Sequence, residues 1–395
     1  MKARLAIAIG CIALFAQPSN ESRLRQHRVS NPRSPVQEPD ANNYDIPSLV
    51  EGVKSARAWE KKRLALLGYW TTLLGRLDPS PADSKWFGDI REAVVRETTE
   101  EPGYTRILLD LPMETDFLQP HVLLIPKGKA ARPRPAVICW TSSTPDYRMP
   151  EQWWGKWLAE RGYVVLTGWS FIRNYRDGGA NAAHVGSANA ALAAETHRQR
   201  FGHWLPISRM VYDVRREAEY LRSLPDIDPK QIGFMGFSLS AKTALYVAAF
   251  APEIAATVAI DPHIAMNGGS NYFEPWYLDW LRPYGDIPTK EHTVLSMLDT
   301  DPSRPGFEHD HHELLALAAP RPFLLIGGRG DLEYAGGHSD DRQSWSYFNR
   351  GREVYQLLGV PDRLKFVLTS DGHSATGPHI NPAWQEFIKR WLPVH

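Results

Sequence analysis

Short apolar runs separated by polar segments with glycine or proline characterise the chain from residue 105 onward. Runs of this length, bounded by turn-forming residues, are typical of buried strands. They predict strands at residues 105–111, 121–126, 135–140, 163–168, 231–237, 256–260, 322–327 and 364–368. The first two strands resemble an antiparallel pair that opens a sheet.

Segments with apolar residues at helical spacing alternate with the later strands. They predict helices at residues 151–161, 210–224, 241–252, 313–319, 344–358 and 383–392. Alternation of strands and helices is typical of a parallel sheet with helices on both faces. The sequence therefore predicts an α/β fold, a mostly parallel doubly wound sheet with an antiparallel start, interrupted by insertions at 169–206 and 263–312.

The N-terminal part has a different pattern. Basic residues at 1–4 precede an apolar run too short to span a bilayer, so residues 1–16 are predicted to be an export signal that leaves no stable membrane insertion after cleavage. Lipidation at Cys11 is the alternative. Residues 17–43 are polar and predict a disordered leader, and residues 44–104 predict a helical segment packed on a main domain at 105–395. We expect a periplasmic or secreted protein.

Composition narrows the possible partners. Among 395 residues, Lys plus Arg and Asp plus Glu are both 45, so no basic field favours nucleic acid. A small-molecule or polysaccharide substrate is expected, and the oligomeric state is left open. After signal cleavage Cys139 is the one cysteine remaining, which excludes an intramolecular disulfide and predicts a buried strand residue.

A serine stands at the junction between a predicted strand and a predicted helix. Residues 231–245 read QIGFMGFSLSAKTAL, in which Gly236 and Ser240 each lie two residues from Ser238. Small residues at these positions allow the sharp turn that holds a nucleophilic serine clear of a sheet. Ser238 is the predicted nucleophile, and Ser240 is the alternative.

Two more polar side chains follow later strands of the predicted sheet. Asp331 lies in GGRGDLEY and His373 in TSDGHSATG, each after a strand. Loops at the carboxyl ends of parallel strands converge, so these residues can meet Ser238 as a catalytic triad. We predict His373 as the general base and Asp331 as the acid that orients it, with Glu333 and Asp261 as alternative acids.

Attack by such a serine on a carbonyl carbon also needs donors for the oxyanion that forms. The backbone N–H of Leu239 follows the nucleophile directly and is the first predicted donor. The second is predicted in the loop after the strand at 135–140, from Thr141 or Ser142.

Other residues near the predicted site have a functional and a structural interpretation. Lys242, one helical turn after Ser238, and Trp140, at a strand end, are predicted to bind substrate; the alternatives are a solvated helix lysine and a core aromatic residue. The sequence EHDHHE at 308–313 lacks the spacing of a zinc site, and its histidines are expected to line the mouth of the pocket. We predict neither a metal nor a cofactor.

Two segments, DVRREAEYLRSLPDIDPKQIGFMGFSLSAKTAL at 213–245 and HELLALAAPRPFLLIGGRGD at 312–331, carry a family resemblance. The chain resembles the α/β-hydrolase superfamily, and within it the acetylxylan-esterase-like and dienelactone-hydrolase-like carbohydrate esterases. It is also similar to glucuronoyl esterases, in which a lysine matching Lys242 belongs to the serine motif. Leu239 stands where those enzymes carry an arginine that contacts the oxyanion.

The resemblance implies an α/β-hydrolase fold and an exported serine esterase. We expect the enzyme to deacetylate a sugar or a plant polysaccharide such as xylan through an acyl-enzyme on Ser238. The alternatives are a glucuronoyl esterase, a serine peptidase of the same fold, or a non-catalytic hydrolase-like protein that binds a glycan.

Overall fold

A mixed sheet runs through the described part of the computed structural model, which comprises residues 46–141, 146–171, 196–264, 309–328 and 344–395. The chain divides into residues 1–37 and 38–395, and every described residue belongs to the second unit. Within the described ranges nine strands pair in the order β1-β2-β3-β5-β4-β6-β7-β8-β9. Their bounds are β1 Val94–Glu100, β2 Tyr104–Glu114, β3 Phe117–Pro126, β4 Arg134–Trp140, β5 Val164–Gly168, β6 Ile227–Phe237, β7 Ala256–Ile260, β8 Phe323–Gly328 and β9 Leu364–Thr369.

The pairing confirms a mostly parallel sheet with an antiparallel start. Strands β1, β2, β3 and β5 pair antiparallel in that order, and every pair from β5 to β9 is parallel. This is the sheet of an α/β-hydrolase fold, as predicted. Parallel strands end at one edge of the sheet, so the loops after β6, β7 and β9 come together there.

Helices cover both faces of the sheet. Their bounds are α1 Ala56–Leu74, α2 Lys156–Ala159 after a π-helical turn Glu151–Gly155, α3 Pro206–Ser223, α4 Leu239–Phe250, α5 His311–Ala318, α6 Ser344–Leu357 and α7 Ile380–Trp391; short 3₁₀ helices span Pro81–Trp86 and Pro361–Arg363. Successive side chains of a strand point to opposite faces. In β4, Ile138 packs in one core cluster with α1 and α3 to α6, and Val137 and Cys139 pack in the other with α2 and α7.

The sheet begins earlier than the sequence predicts. Strand β1 lies inside the segment 44–104, which was predicted to be helical, although α1 occupies part of that segment as expected. The sequence of β1, VVRETTE, is mostly exposed at the edge of the sheet. A strand that buries neither face carries no apolar run, so the prediction that residues 44–104 form a helical segment was wrong for the part that forms β1.

Two further predictions concern burial and the membrane. Cys139 is fully buried in β4, which confirms it as a core residue, and burial raises the pKa of its thiol. Across the described helices, none has the length and hydropathy needed to cross a bilayer. The predicted signal, the leader and most of both insertions lie outside the described residues.

Candidate active site

Ser238 occupies a sharp turn between β6 and α4. Its backbone has φ 56° and ψ −114°, a conformation that L-residues rarely adopt. The Ser238 N–H donates to the Ile260 carbonyl at 2.9 Å, and its carbonyl accepts from Lys242 N–H at 2.9 Å. A Cβ at Gly236 would lie 2.3 Å from the backbone oxygen of Ser240, so this position admits no side chain. The turn has the form predicted for a nucleophilic serine.

His373 meets Ser238 from the loop after β9. Its Nε2 lies 3.2 Å from Ser238 Oγ, and its side chain keeps 23% of its surface exposed. The structure thus brings together the predicted nucleophile and the predicted base from strands that are not adjacent in the sheet.

The carboxylate that contacts the histidine belongs to Asp261, one of the two alternative acids. Asp261 Oδ2 accepts a hydrogen bond from Nδ1 of His373. Nδ1 carries a single proton, and this contact engages it, so Asp261 takes the place predicted for Asp331. Both Asp331 and Glu333 lie outside the described residues.

Backbone geometry explains how Asp261 reaches the histidine. Asp261 follows β7 directly, and its N–H donates to the carbonyl of Ile326 at 2.7 Å. Its φ of 57° turns the chain away from the strand direction, and its side chain is buried, with 1% of the residue exposed. The acid therefore comes from the strand beside the nucleophile strand.

Two buried side chains anchor the residues after Asp261. Lys242 Nζ, on α4, donates to the carbonyl of His263 at 2.7 Å, and His311 Nδ1, on α5, donates to the carbonyl of Ile264 at 2.7 Å. Burial lowers the pKa of His311, so its ring is neutral and its Nε2 accepts from the Tyr246 hydroxyl at 2.8 Å. Lys242 is only 2% exposed, so the alternative of a solvated helix lysine was wrong; its contact with substrate stays a prediction.

Trp140 lies in the core, not at the substrate. It has no exposed surface, and its Nε1 donates to Glu217 Oε2 at 2.7 Å. The other carboxylate oxygen of Glu217 lies 2.9 Å from Nε2 of His121, and burial raises the pKa of Glu217. Because a fully buried ring cannot contact a ligand, the prediction that Trp140 binds substrate was wrong.

The structure supports one of the predicted oxyanion donors and not another. Leu239 is the first residue of α4, where backbone N–H groups have no acceptor within the helix. The backbone N–H of Thr141 is already engaged, because it donates to the Gly168 carbonyl at 3.1 Å, so that group is not the predicted second donor. The Thr141 carbonyl accepts from the Ser240 hydroxyl, and this contact also excludes Ser240 as the nucleophile, since Ser240 is buried. Ser142 lies outside the described residues.

Residues 309–313 are the described part of the acidic and histidine-rich segment. Their side chains make different contacts. His309 Nδ1 lies 2.9 Å from Glu313 Oε1, and Glu313 Oε2 accepts from Trp70 Nε1 at 2.6 Å. Residues 310–313 are buried, so the expectation that they line the mouth of a pocket was wrong. Neither ring nitrogen of His312 has a hydrogen-bond partner among the described residues.

His312 should make the stability of the protein fall in acid. Burial, with Arg350 nearby, lowers the pKa of His312 to about 3, whereas an unfolded histidine titrates near 6.5. Between these values the unfolded state binds the extra proton, so the free energy of unfolding decreases as the pH falls from 6.5 toward 3. One such proton contributes a slope of about 1.4 kcal/mol per pH unit.

The comparison of wild type with His312→Leu isolates this contribution from the other buried groups. We expect urea unfolding between pH 7 and pH 4 to show that the free energy of unfolding falls less steeply with decreasing pH in His312→Leu than in wild type. The two slopes should differ by up to about 1.4 kcal/mol per pH unit. Buried carboxyls such as Asp213, whose pKa burial raises to about 6, act in the opposite direction in both proteins and cancel in the difference. Parallel curves for the two proteins would contradict the prediction.

His263 lies beside the predicted base, although the sequence did not indicate a role for it. Its ring centroid lies 5.0 Å from that of His373, at an interplanar angle of 47°. In the sequence, His263 is marked only by its position two residues after Asp261. That position points to the active site only once Asp261 is known to be the acid.

Two protein-family models match parts of this chain. A family model described as glucuronyl esterase, fungi, matches residues 211–359, and one described as the dienelactone hydrolase family matches residues 125–270. A 4-O-methyl-glucuronoyl methylesterase from Wolfiporia cocos is 28% identical over 191 residues, which cover 46% of this chain and 45% of that protein. The match thus spans less than half the length of this relative.

Solved structures resemble a larger part of the chain. A glucuronoyl esterase from Solibacter usitatus has a TM-score of 0.61 at 16% identity, covering 89% of this chain and 98% of that chain. A carbohydrate esterase family 15 glucuronoyl esterase from Caldicellulosiruptor kristjansonii has a TM-score of 0.57 at 19% identity, covering 88% and 91%. At these identities the likeness is one of fold.

Proposed function

We propose that this chain, a protein of the α/β-hydrolase fold similar to carbohydrate esterases, hydrolyses a carboxylic ester of a carbohydrate through an acyl-enzyme on Ser238. One observation carries the proposal, the continuous hydrogen-bonded series from the Asp261 carboxylate through His373 to Ser238 Oγ. A serine hydroxyl becomes an effective nucleophile when an oriented imidazole accepts its proton during attack.

The first half of the reaction forms the acyl-enzyme. Ser238 Oγ attacks the ester carbonyl carbon while Nε2 of His373 takes its proton, and Asp261 stabilises the imidazolium from Nδ1. The carbonyl oxygen becomes an oxyanion, for which the N–H of Leu239 is the donor nearest in sequence to the nucleophile. The tetrahedral intermediate then expels the alcohol, which takes the proton from Nε2.

The second half repeats these steps with water. His373 accepts a proton from the water as it attacks the acyl carbon, and Nε2 returns that proton to Ser238 Oγ as the acid leaves. The same base thus serves both half-reactions, and the free serine is restored for the next cycle.

An ester of glucuronic acid is the substrate that the comparisons favour over the acetyl ester expected from the sequence. The glucuronyl esterase family model includes Ser238, Lys242 and Asp261, and the Wolfiporia cocos relative is named for a glucuronoyl methyl ester. In this reaction the sugar acid is the acyl group on Ser238 and the alcohol leaves first.

Acetylated polysaccharide is the second candidate, for a reason in the chain itself. Leu239 follows the nucleophile where glucuronoyl esterases are expected to have an arginine, so this position supplies no positive charge to the oxyanion of a uronate ester. The oxyanion of an acetyl ester needs donors in the same way, so the leucine does not by itself select the acetyl group; it removes a feature expected of the uronate-specific enzymes.

A panel of esters tests the proposal. We expect kcat/KM for methyl 4-O-methyl-glucuronate to exceed that for acetylated xylan by at least about tenfold, a difference of ~1.4 kcal/mol in transition-state binding. Ser238→Ala is the matched control and should abolish every activity in the panel. Faster release of acetate would favour the second candidate, and no ester hydrolysis by wild type would contradict the proposed function.

A further inference from the structure

Three side chains that bind transition metals in many proteins converge beside the nucleophile. An oxygen of Asp261 and one ring nitrogen each of His263 and His373 all lie within 4.8 Å of one another. Asp261 and His263 are 1% and 3% exposed, and His373 retains access to solvent. The group is thus largely buried, with one partly exposed member.

The backbone holds two of these residues in an unusual conformation. Asp261 has φ 57° and His263 has φ 55°, on either side of Pro262. Non-glycine residues with positive φ are uncommon and require support from their surroundings. Lys242 supplies such support through its bond to the His263 carbonyl, and the result is that both side chains lie against His373. Catalysis as proposed uses the carboxylate of Asp261 and has no step for the second imidazole.

We propose that Asp261, His263 and His373 form a site for a divalent transition-metal ion, with Zn²⁺ as the representative, and that the bound ion inhibits the enzyme. Two imidazoles and one carboxylate are a donor set that suits Zn²⁺ and related ions, whereas Mg²⁺ and Ca²⁺ prefer sites made of oxygen atoms alone. A fourth position is left for water or an anion from solvent.

Inhibition follows whichever nitrogen of His373 the ion takes. Nδ1 is the donor to Asp261 and Nε2 is the atom that accepts the proton of Ser238. A metal on Nδ1 displaces the proton shared with the acid, and a metal on Nε2 removes the base from the nucleophile. This inhibitory consequence rests on the proposed function, whereas binding of the ion does not.

Calorimetric titration of Ser238→Ala with Zn²⁺ tests binding without turnover. This variant retains the three proposed ligands, and the double variant Ser238→Ala/His263→Asn is its matched control. Asparagine tolerates the left-handed conformation at position 263 but lacks the imidazole. We expect one Zn²⁺ site in Ser238→Ala and a loss of more than about tenfold in its affinity in the double variant. Equal affinity in the two proteins, or no binding by either, would overturn the proposed site.

An activity measurement tests the inhibitory consequence separately. We expect Zn²⁺ to inhibit the wild-type esterase with one site per chain, and a chelator to restore the rate. In His263→Asn, measured against its own metal-free rate, inhibition should require more than about tenfold higher Zn²⁺. Zn²⁺ binding without inhibition would refute the second half of the proposal. Absence of any esterase activity would instead refute the proposed function, and the calorimetric result would stand by itself.

Discussion

Replacement of Ser238 by alanine should lower kcat for ester hydrolysis by up to about a million-fold while leaving the fold intact. The alanine removes the only atom that forms the covalent intermediate. His373→Ala should cause a similar loss, because the hydroxyl then has no base at 3.2 Å. Residues that act as one unit are not additive, so the double variant should be little slower than either single variant.

Ser240→Ala is the matched control for this experiment. Ser240 is also a serine of the turn, but its hydroxyl is buried and donates to the Thr141 carbonyl. We expect a far smaller loss of kcat, together with a modest decrease in thermal stability from the lost hydrogen bond. Circular dichroism and thermal unfolding of each variant separate loss of chemistry from loss of fold. A Ser238→Ala enzyme with a tenth of wild-type turnover would contradict the assignment.

Asp261→Asn should reduce kcat by about ten-thousand-fold. An amide has nearly the same shape as the carboxylate, so the turn after β7 should persist. However, an amide group that donates to Nδ1 favours the tautomer with its proton on Nε2, and that tautomer cannot accept the proton of Ser238. The amide also lacks the charge that stabilises the imidazolium.

Asp331→Asn is the comparison that distinguishes the two acids. Because Asp261 already engages Nδ1 of His373, we expect Asp331→Asn to retain turnover within about tenfold of wild type. Steady-state kinetics of both variants on the same ester give the result. The reverse order of effects would restore Asp331 as the acid and would make the contact of Asp261 a structural one.

Most of the sheet could be predicted because its strands are buried. The run at β7, residues 256–260, was predicted with the bounds that the structure shows, since turn-forming residues flank a fully buried apolar segment. Edge strand β1 was not predicted, because its exposed and polar residues carry no apolar period. The pattern of apolar residues therefore predicts strands that are buried. It does not predict an exposed strand that is stabilised by backbone hydrogen bonds to its neighbour.

The site was predictable to the extent that it follows strand ends. Ser238 comes directly after strand β6, and His373 lies in the loop after strand β9. The sheet topology brings these two strand ends to one edge of the sheet. The choice between Asp261 and Asp331 depends on a left-handed turn at one residue, and residue type does not report that conformation. Position in sequence likewise could not show that Trp140 is fully buried against Glu217, since that contact joins residues 77 apart.

A covalent label tests the central claim most directly. A fluorophosphonate reacts with a serine only where a neighbouring base activates it, and intact-protein and peptide mass spectrometry locate the adduct. We predict one adduct per chain, on Ser238, in the wild-type protein, and none at that position in Ser238→Ala or His373→Ala. An unlabelled wild-type protein, or an adduct on another serine, would contradict the proposal that Ser238 is the activated nucleophile of an esterase.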